Sequence, residues 1–393
     1  MADDDLLTGD FYRFEQLLGG AERETVHRVR NWLAAEVAPI ANRCWERAEF
    51  PFELIPRFAE LGIAGIAYDE VPGRPPSALL SGFLSLELAH ADPSFASFYG
   101  VHSGLAMGSI ARCGSAEQRA RWLPAMGRLE RIGAFALTEP TGGSDVAGGM
   151  RTTARRDGDS WVLDGAKRWI GNGTFADHVV TWASDADTGK VLGFVVHKDN
   201  PGMTTTLIEH KIALRTVQNA DIVYENCRVP EEDRLQAAHS FKDTAEILRR
   251  TRSGVAWSSV GVMLAAYEIA LAYATEREQF GRPIAGFQLV QDLLVRMLGN
   301  VTACLGMVTR LAQLQDEQVF LDEHSALAKA YVTSRMRESV GWARELLAGN
   351  GIVLDHDIGR FVADAEALYS YEGTREINTL IVGRAVTGHS AFV

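Results

Sequence analysis

The stretch Gly133-Ala-Phe-Ala-Leu-Thr-Glu-Pro-Thr-Gly-Gly-Ser-Asp-Val-Ala147 marks the place where the chain changes character, and the fold is read outward from it. Upstream, to about residue 130, apolar residues recur at helical spacing, as across Glu22 to Arg47, and Ser115-Ala-Glu-Gln118 has the form of a capping box that opens another helix. Downstream, Thr152 to Glu231 is rich in β-branched and aromatic residues broken by polar turn clusters. TTARR and WVLDG flank Asp157-Gly-Asp-Ser160, and VVTWA and VLGFVVH flank Ser184-Asp-Ala-Asp-Thr-Gly189, a pattern of two hairpins. From about Phe241 the helical period returns, with long helices expected near 243–275, 286–316 and 321–348, joined by short connections as in an antiparallel bundle. The expected class is α+β multidomain, with an N-terminal α-helical domain over 1–132, a central β domain over 133–240 and a C-terminal helical bundle over 241–393.

This order disfavours a dinucleotide fold in which strands and helices alternate. No GxGxxG occurs, and Gly189-Lys190 lacks the upstream glycine of a phosphate loop. With a net charge of −12 the chain has no excess of basic residues with which to hold nucleic acid by neutralising phosphates. Cys44, Cys113, Cys227 and Cys304 are scattered without CxxC or Cys/His spacing, so neither a metal site nor a disulfide framework is expected. They read as thiols of a reducing compartment, and the acidic start MADDDLL resembles neither a secretory nor an organelle leader, which points to the cytoplasm. Gly254 to Ala274 approaches bilayer-spanning length, but Ser258, Ser259 and Glu268 interrupt it, and a buried bundle helix rather than a membrane span is expected.

Read from its residues alone, Gly133–Ala147 offers glycines for close backbone approach and the hydroxyls of Thr138 and Ser144. A ligand cradle and a Gly-rich domain junction fit it equally. The stretch resembles the signature of the acyl-CoA dehydrogenase family, and four further segments do so in the right order. Lys167-Arg-Trp-Ile-Gly-Asn172 looks like the flavin-shielding tryptophan segment. Arg277-Glu-Gln-Phe-Gly-Arg-Pro-Ile284 with Phe287-Gln288 looks like the stretch that reaches FAD of a neighbouring subunit. Leu347-Ala-Gly-Asn-Gly-Ile352 resembles a turn touching the same cofactor, and Tyr371-Glu-Gly-Thr374 resembles the catalytic-base motif, with Asn378 to Phe392 similar to the family's C-terminal closure.

The resemblance implies a helical domain, a β-barrel-like domain and a four-helix bundle in a homotetramer that desaturates an acyl-CoA. Glu372 would take the α-proton, the β-hydride would pass to flavin N5, and the electrons would go to an electron-transfer flavoprotein. It implies FAD contacts at Phe135, Leu137, Thr138, Gly143, Ser144, Trp169 and Gly171 from one subunit, completed by Arg277, Gln279, Phe280, Glu345, Gly349, Thr374 and Glu376. For the substrate it implies Ser144, Phe95, Ala96, Phe98, Tyr99, Thr251, Arg252, Tyr371 and Gly373. An arginine fork suits pyrophosphate oxygens, and an aromatic and a glycine beside Glu372 favour a desolvated carboxyl with a raised pKa. Taken without the resemblance, Glu372 reads as one of many surface glutamates, Trp169 as a sheet-core aromatic and Arg252 as one half of a cap-proximal ion pair.

The chain departs from the family at several positions. Thr251 stands where some members carry their base, and it cannot serve as one. Gly171 replaces a frequent threonine, and Glu345 a frequent glutamine. Lys167-Arg-Trp-Ile-Gly, Arg215-Thr-Val-Gln-Asn219 and Gly383-Arg-Ala-Val-Thr-Gly388 resemble the glutaryl-CoA dehydrogenase branch. Its carboxylate-holding arginine aligns with Ala96, however, and a nearby glutamate with Ala89, so a short or medium acyl chain without a distal carboxylate is expected. Val101-His-Ser103 and Val217-Gln-Asn219 also look like the plant short-chain acyl-CoA oxidase, although Ala391-Phe-Val393 is no peroxisomal address. The alternatives to a dehydrogenase are an oxidase, a glutaryl-CoA dehydrogenase, an acyl-carrier-protein-linked enzyme and a non-catalytic flavoprotein scaffold.

Overall fold

A computed structural model describes residues 7–71 and 77–392. Most of the acidic N-terminal heptad, and Val393, lie outside them. The expected helix over Glu22 to Arg47 is present as α1 (Gly20–Trp32) and α2 (Ala38–Arg47), fused through a π-helical stretch at Leu33–Val37. Next come α3 (Ile55–Ala59), α4 (Ala78–Ala91) and α5 (Pro93–Tyr99), a second π-helical stretch at Gly100–Met107, α6 (Gly108–Cys113) and α7 (Ala116–Gly127). The capping box that opens α7 is closed both ways: Gln118 N donates to Ser115 Oγ (3.2 Å) and Ser115 N to Gln118 Oε1 (2.9 Å).

The β segment follows as β1 (Gly133–Ala136), a short α8 (Val146–Gly149), β2 (Thr153–Asp157), β3 (Ser160–Ile170), β4 (His178–Asp185), β5 (Val191–His197), β6 (Met203–Leu207) and β7 (Ala220–Pro230). Both hairpins form where the turn clusters placed them: β2 pairs with β3 in the register Asp157↔Ser160, and β4 with β5 in the register Ser184↔Val191. One curled seven-stranded sheet runs β1-β4-β2-β3-β7-β6, with β5 on the other edge of β4. β4 is therefore central and buried on both faces. Val179 and Ala183 join the core inside the curl with Trp161, Phe194 and Tyr224, whereas Val180 and Trp182 pack outward against Met107, Ile110, Leu123 and Met126 of the helical domain.

The C-terminal part consists of α9 (Phe241–Glu276), a two-stranded turn formed by β8 (Glu278–Gln279) and β9 (Arg282–Pro283), α10 (Gln288–Asp316), α11 (Asp322–Leu346), α12 (Ile358–Ser370) and α13 (Arg375–Thr387). The last two helices share the fourth place in the bundle, both packing on α11. α9 is apolar and long enough to cross a bilayer, as is α10, but the apolar stretch of α9 is mostly buried between α4, α10 and α11. Its one carboxylate, Glu268, accepts from Thr8 N (3.0 Å) and contacts His90 Nε2 (2.8 Å). Gly261 lets α9 touch α4, since a Cβ there would lie 2.2 Å from the carbonyl oxygen of Leu86. A single core runs through α1, α4, α5, α9, α10, α11 and α12, so the N-terminal helices and the bundle are one packed body around the sheet's flank.

Candidate active site

Glu372 sits in the turn between α12 and α13 and is half-buried, at φ 56°, followed by Gly373 at φ 85°. A left-handed glutamate is uncommon and aims the side chain out of line with both helices, back toward α9. There Thr251 Oγ1 donates to Glu372 Oε2 (2.7 Å). Burial pushes the Glu372 carboxyl above its ordinary 4.5, partly offset by that hydrogen bond and by the nearby charges of Arg252 and Lys329. Arg252 is 9% exposed and lies against Gly373, and its Nε has no hydrogen-bond partner among the described residues. The reading of Glu372 as a solvated surface carboxylate does not hold, nor does that of Arg252 as half of a closed ion pair.

Gly104, in the π-helical stretch, approaches Thr251, and Val101 closes over Gly171, where a Cβ would meet Val101 Cγ2 at 2.8 Å. A threonine at position 171 would displace Val101, which gives a steric reason for the departure seen in the sequence. His102, beneath them, is buried and neutral. Its Nδ1 accepts from Gly133 N (2.9 Å), its Nε2 donates to Met126 O (3.0 Å), and burial pushes its pKa down to about 4.

The Thr-Glu-Pro segment has an internal role that sequence reading missed. Glu139 accepts from Arg151 N (2.7 Å), Thr152 N (2.8 Å) and Lys167 Nζ (2.9 Å), and Lys167 also donates to Leu137 O (3.0 Å). This buried ion pair staples the glycine loop to β3. Burial pushes Lys167 down to about 8, and the hydrogen bond from Thr152 with the Lys167 charge holds Glu139 below its ordinary value despite its own burial. Gly143 and Ser144 are exposed and Thr138 is half-exposed, while the side chains of Phe135 and Leu137 face the core, leaving only their backbones for a ligand. Trp169, at φ 65°, is 52% exposed with the Arg168 guanidinium 5.0 Å from its ring, so it is no sheet-core aromatic. An exposed indole beside exposed glycines and hydroxyls fits a flat heteroaromatic ring with polar edges, as a flavin is.

Phe95 and Phe98 are buried against Trp32, Phe50 and Phe58, and Ala96 is buried with them, so these three form the wall behind the cleft rather than its surface. Tyr99 is half-buried and donates to Ile63 O (3.2 Å). Tyr371 is half-buried beside Glu372, Thr374 caps α13 by accepting from Ile377 N (3.3 Å), and Glu376 is exposed next to Arg375.

Five expected cofactor residues are not in this cleft. Arg277, Gln279 and Phe280 lie just beyond α9, 26 residues from Thr251 in the case of Arg277, which at 1.5 Å per residue is about 39 Å away. Glu345 and Gly349 are at that same end, where Asn350 donates to Tyr273 Oη (3.0 Å). All five are exposed. Phe280 is 94% exposed at φ 52°, with Gly281 at φ 78°, in a two-residue turn whose first position ordinarily takes Asn or Gly.

Residues 20–130, 134–227 and 241–387 match, in turn, the N-terminal, middle and C-terminal domains of acyl-CoA dehydrogenases. The chain belongs to the acyl-CoA dehydrogenase family. It is thus an oxidoreductase of a family of FAD enzymes. The mouse mitochondrial short-chain specific acyl-CoA dehydrogenase is 31% identical, over 95% of this chain and 93% of that protein. A glutaryl-CoA dehydrogenase from Mycobacterium smegmatis, solved in complex with FADH2, superposes with a TM-score of 0.93 at 34% identity, over 97% of this chain and 98% of that one. A chain in the structure of an electron transferring flavoprotein of Acidaminococcus fermentans gives a TM-score of 0.91 at 29% identity, over 95% and 99%.

Proposed function

We propose that this acyl-CoA dehydrogenase family member desaturates a short- or medium-chain acyl-CoA without a distal carboxylate, with Glu372 as the base. The observation that carries the reading is the Glu372 carboxyl itself: turned into the cleft, desolvated, and, among the described residues, hydrogen-bonded at one oxygen only, by Thr251. The α-proton leaves to Oε1, the oxygen Thr251 does not occupy. A raised pKa suits that role near neutral pH, because a base works best when its pKa is close to the operating pH. Arg252 supplies a guanidinium edge that steadies negative charge beside the base. The backbones of Phe135 and Leu137, together with Thr138, Gly143, Ser144, Trp169, Gly171, Thr374 and Glu376, would hold FAD, which when bound would supply the acceptor for the β-hydride.

Substrate preference follows from what the aromatic wall lacks. Arg360, the buried arginine beside α5, already pairs with Asp92 (2.8 Å) and Asn42 (3.1 Å), and alanines fill positions 89 and 96. A glutaryl carboxylate directed toward that wall would meet no cation on it among the described residues that is not already paired, at a cost of several kcal/mol. The distance from Arg277 and Phe280 to the Glu372 cleft supports a homo-oligomer in which those residues complete a flavin site on another copy. An electron-transfer flavoprotein is the proposed acceptor, supported by the likeness to dehydrogenases. Turnover of butyryl-CoA with such an acceptor, lost by at least 1,000-fold in Glu372→Gln (about 4 kcal/mol), is the expected result. Undiminished turnover in that variant would overturn the base assignment, and prompt peroxide formation matching substrate consumption would assign an oxidase instead.

A further inference from the structure

Lys329 is fully buried in the N-terminal half of α11, yet no carboxylate lies within ion-pair distance of it among the described residues. Its Nζ instead donates to two main-chain oxygens, Tyr369 O at the C-terminal end of α12 (2.8 Å) and Gly373 O in the turn (2.7 Å). Those two carbonyls bracket Glu372. Asn378 of α13, also fully buried, donates to Gly373 O (2.9 Å) and Thr374 O (3.0 Å) from the other side. A turn with two successive left-handed residues costs on the order of 1–3 kcal/mol for its non-glycine member and persists only where neighbours over-determine it.

We infer that Lys329 is a positioning residue for the reaction: its ammonium clamps the turn that carries Glu372 in the left-handed conformation and supplies a buried positive charge toward that carboxylate. The inference rests on the reading of Glu372 as the base. A cation at the exposed carbonyls of a helix C-terminus meets the negative end of the helix dipole, which stabilises it there without neutralising it. Burial lowers Lys329 to about 8, with Glu372 pulling the other way, so the ammonium persists at neutral pH. Among the described residues, the remaining polar and charged groups around Glu372 are Thr251 and Arg252 from α9 and Tyr371 from its own turn, and Arg252 and, from α13, Glu376 also act on Lys329.

The test compares the pH profile of kcat/KM in wild type, Lys329→Met and Lys329→Gln, with Glu372→Gln in parallel, each checked for flavin content and helical circular dichroism. Removing the charge disfavours ionised Glu372, so the acidic limb should move up by about one pH unit in both lysine variants. In Lys329→Met, which also frees the turn, kcat should fall about tenfold or more with little change in KM. Glutamine keeps a donor, and part of kcat should return while the limb stays shifted. A Met variant with flavin bound and both limb and kcat within twofold of wild type overturns the inference while leaving the Glu372 assignment standing. Undiminished turnover in Glu372→Gln overturns the base reading instead, and with it this one. Loss of helical structure in both lysine variants would make Lys329 a stability residue and also overturn the positioning role.

Discussion

At the residue scale, the left-handed Glu372 and its hydroxyl partner Thr251 set the protonation of the proposed base. Thr251→Val removes the hydrogen bond that Thr251 donates to Glu372 and that favours its ionised form, so the acidic limb of kcat/KM should move to higher pH, with flavin content unchanged. A limb that stays in place would show that the bond does not persist in solution. The buried histidines make a separate prediction about stability. Burial holds His102 and His178 at about 4, below the ordinary 6.5, so between those values the unfolded chain takes up protons that the native state does not. Stability should therefore fall as pH drops through 6.5 toward 4, and melting temperatures measured across that window should show it. His102→Gln, which can still span Gly133 N and Met126 O, should flatten the slope, whereas an unchanged slope would mean that other groups carry it. Glu372, as the proposed base, was singled out in the sequence through its motif. Lys329 was not, although it left a trace: it falls on the stripe Ser325, Lys329, Val332 and Met336 of an otherwise small and apolar buried face.

At the scale of elements, period and turn chemistry placed both β hairpins and the three long helices to within a few residues. They did not show why α9 and α4 cross so closely. A methyl group at Gly261 would collide with the main chain of Leu86, which has no side-chain freedom to yield. Gly261→Ala should accordingly destabilise the protein by about 3 kcal/mol, at the upper end for overpacking, as read from denaturant or thermal midpoints. A midpoint within experimental error of wild type would show that the two helices can separate without cost. The π-helical stretch at Gly100–Met107 was not read in the sequence, because a widened turn carries no residue signature of its own. Its consequence is local to the cleft, where it brings Val101 to Gly171 and Gly104 to Thr251.

On the scale of the whole molecule, α9 holds the Glu372 cleft apart from Arg277, Gln279 and Phe280, which the resemblance had directed to the FAD of a neighbouring subunit. Its 36 residues span about 54 Å, with Thr251 and Arg252 in one half and Arg277 beyond the far end. Arg277→Ala and Phe280→Asp should lower FAD retention after gel filtration while leaving the monomer's melting behaviour intact, and light scattering should report a mass above 43.0 kDa for wild type. A wild-type monomer that keeps its flavin would defeat the shared-site proposal. The same scale explains Asp92 and Arg360, which tie the N-cap of α5 to α12 through a buried pair. Arg360→Leu strands Asp92 and should cost about 3–5 kcal/mol, measured by chemical denaturation.

The sequence by itself determined the order of helical, strand and helical regions, the positions of the turns, and the motifs that carry the family. All of these are written in local spacing, and burial of one face of a helix or strand leaves a period that survives without knowledge of the partner. Only the tertiary structure decided which charges meet. The raised carboxyl of Glu372, the Glu139–Lys167 staple, the Lys329 clamp and the distance from Arg277 to the cleft depend on groups between 28 and about 120 residues apart in the chain. The energy of an ionisable group is set by the solvent it loses and the partners it gains. Neither is a property of its neighbours in sequence, which is why the chemistry of this site had to wait for the fold.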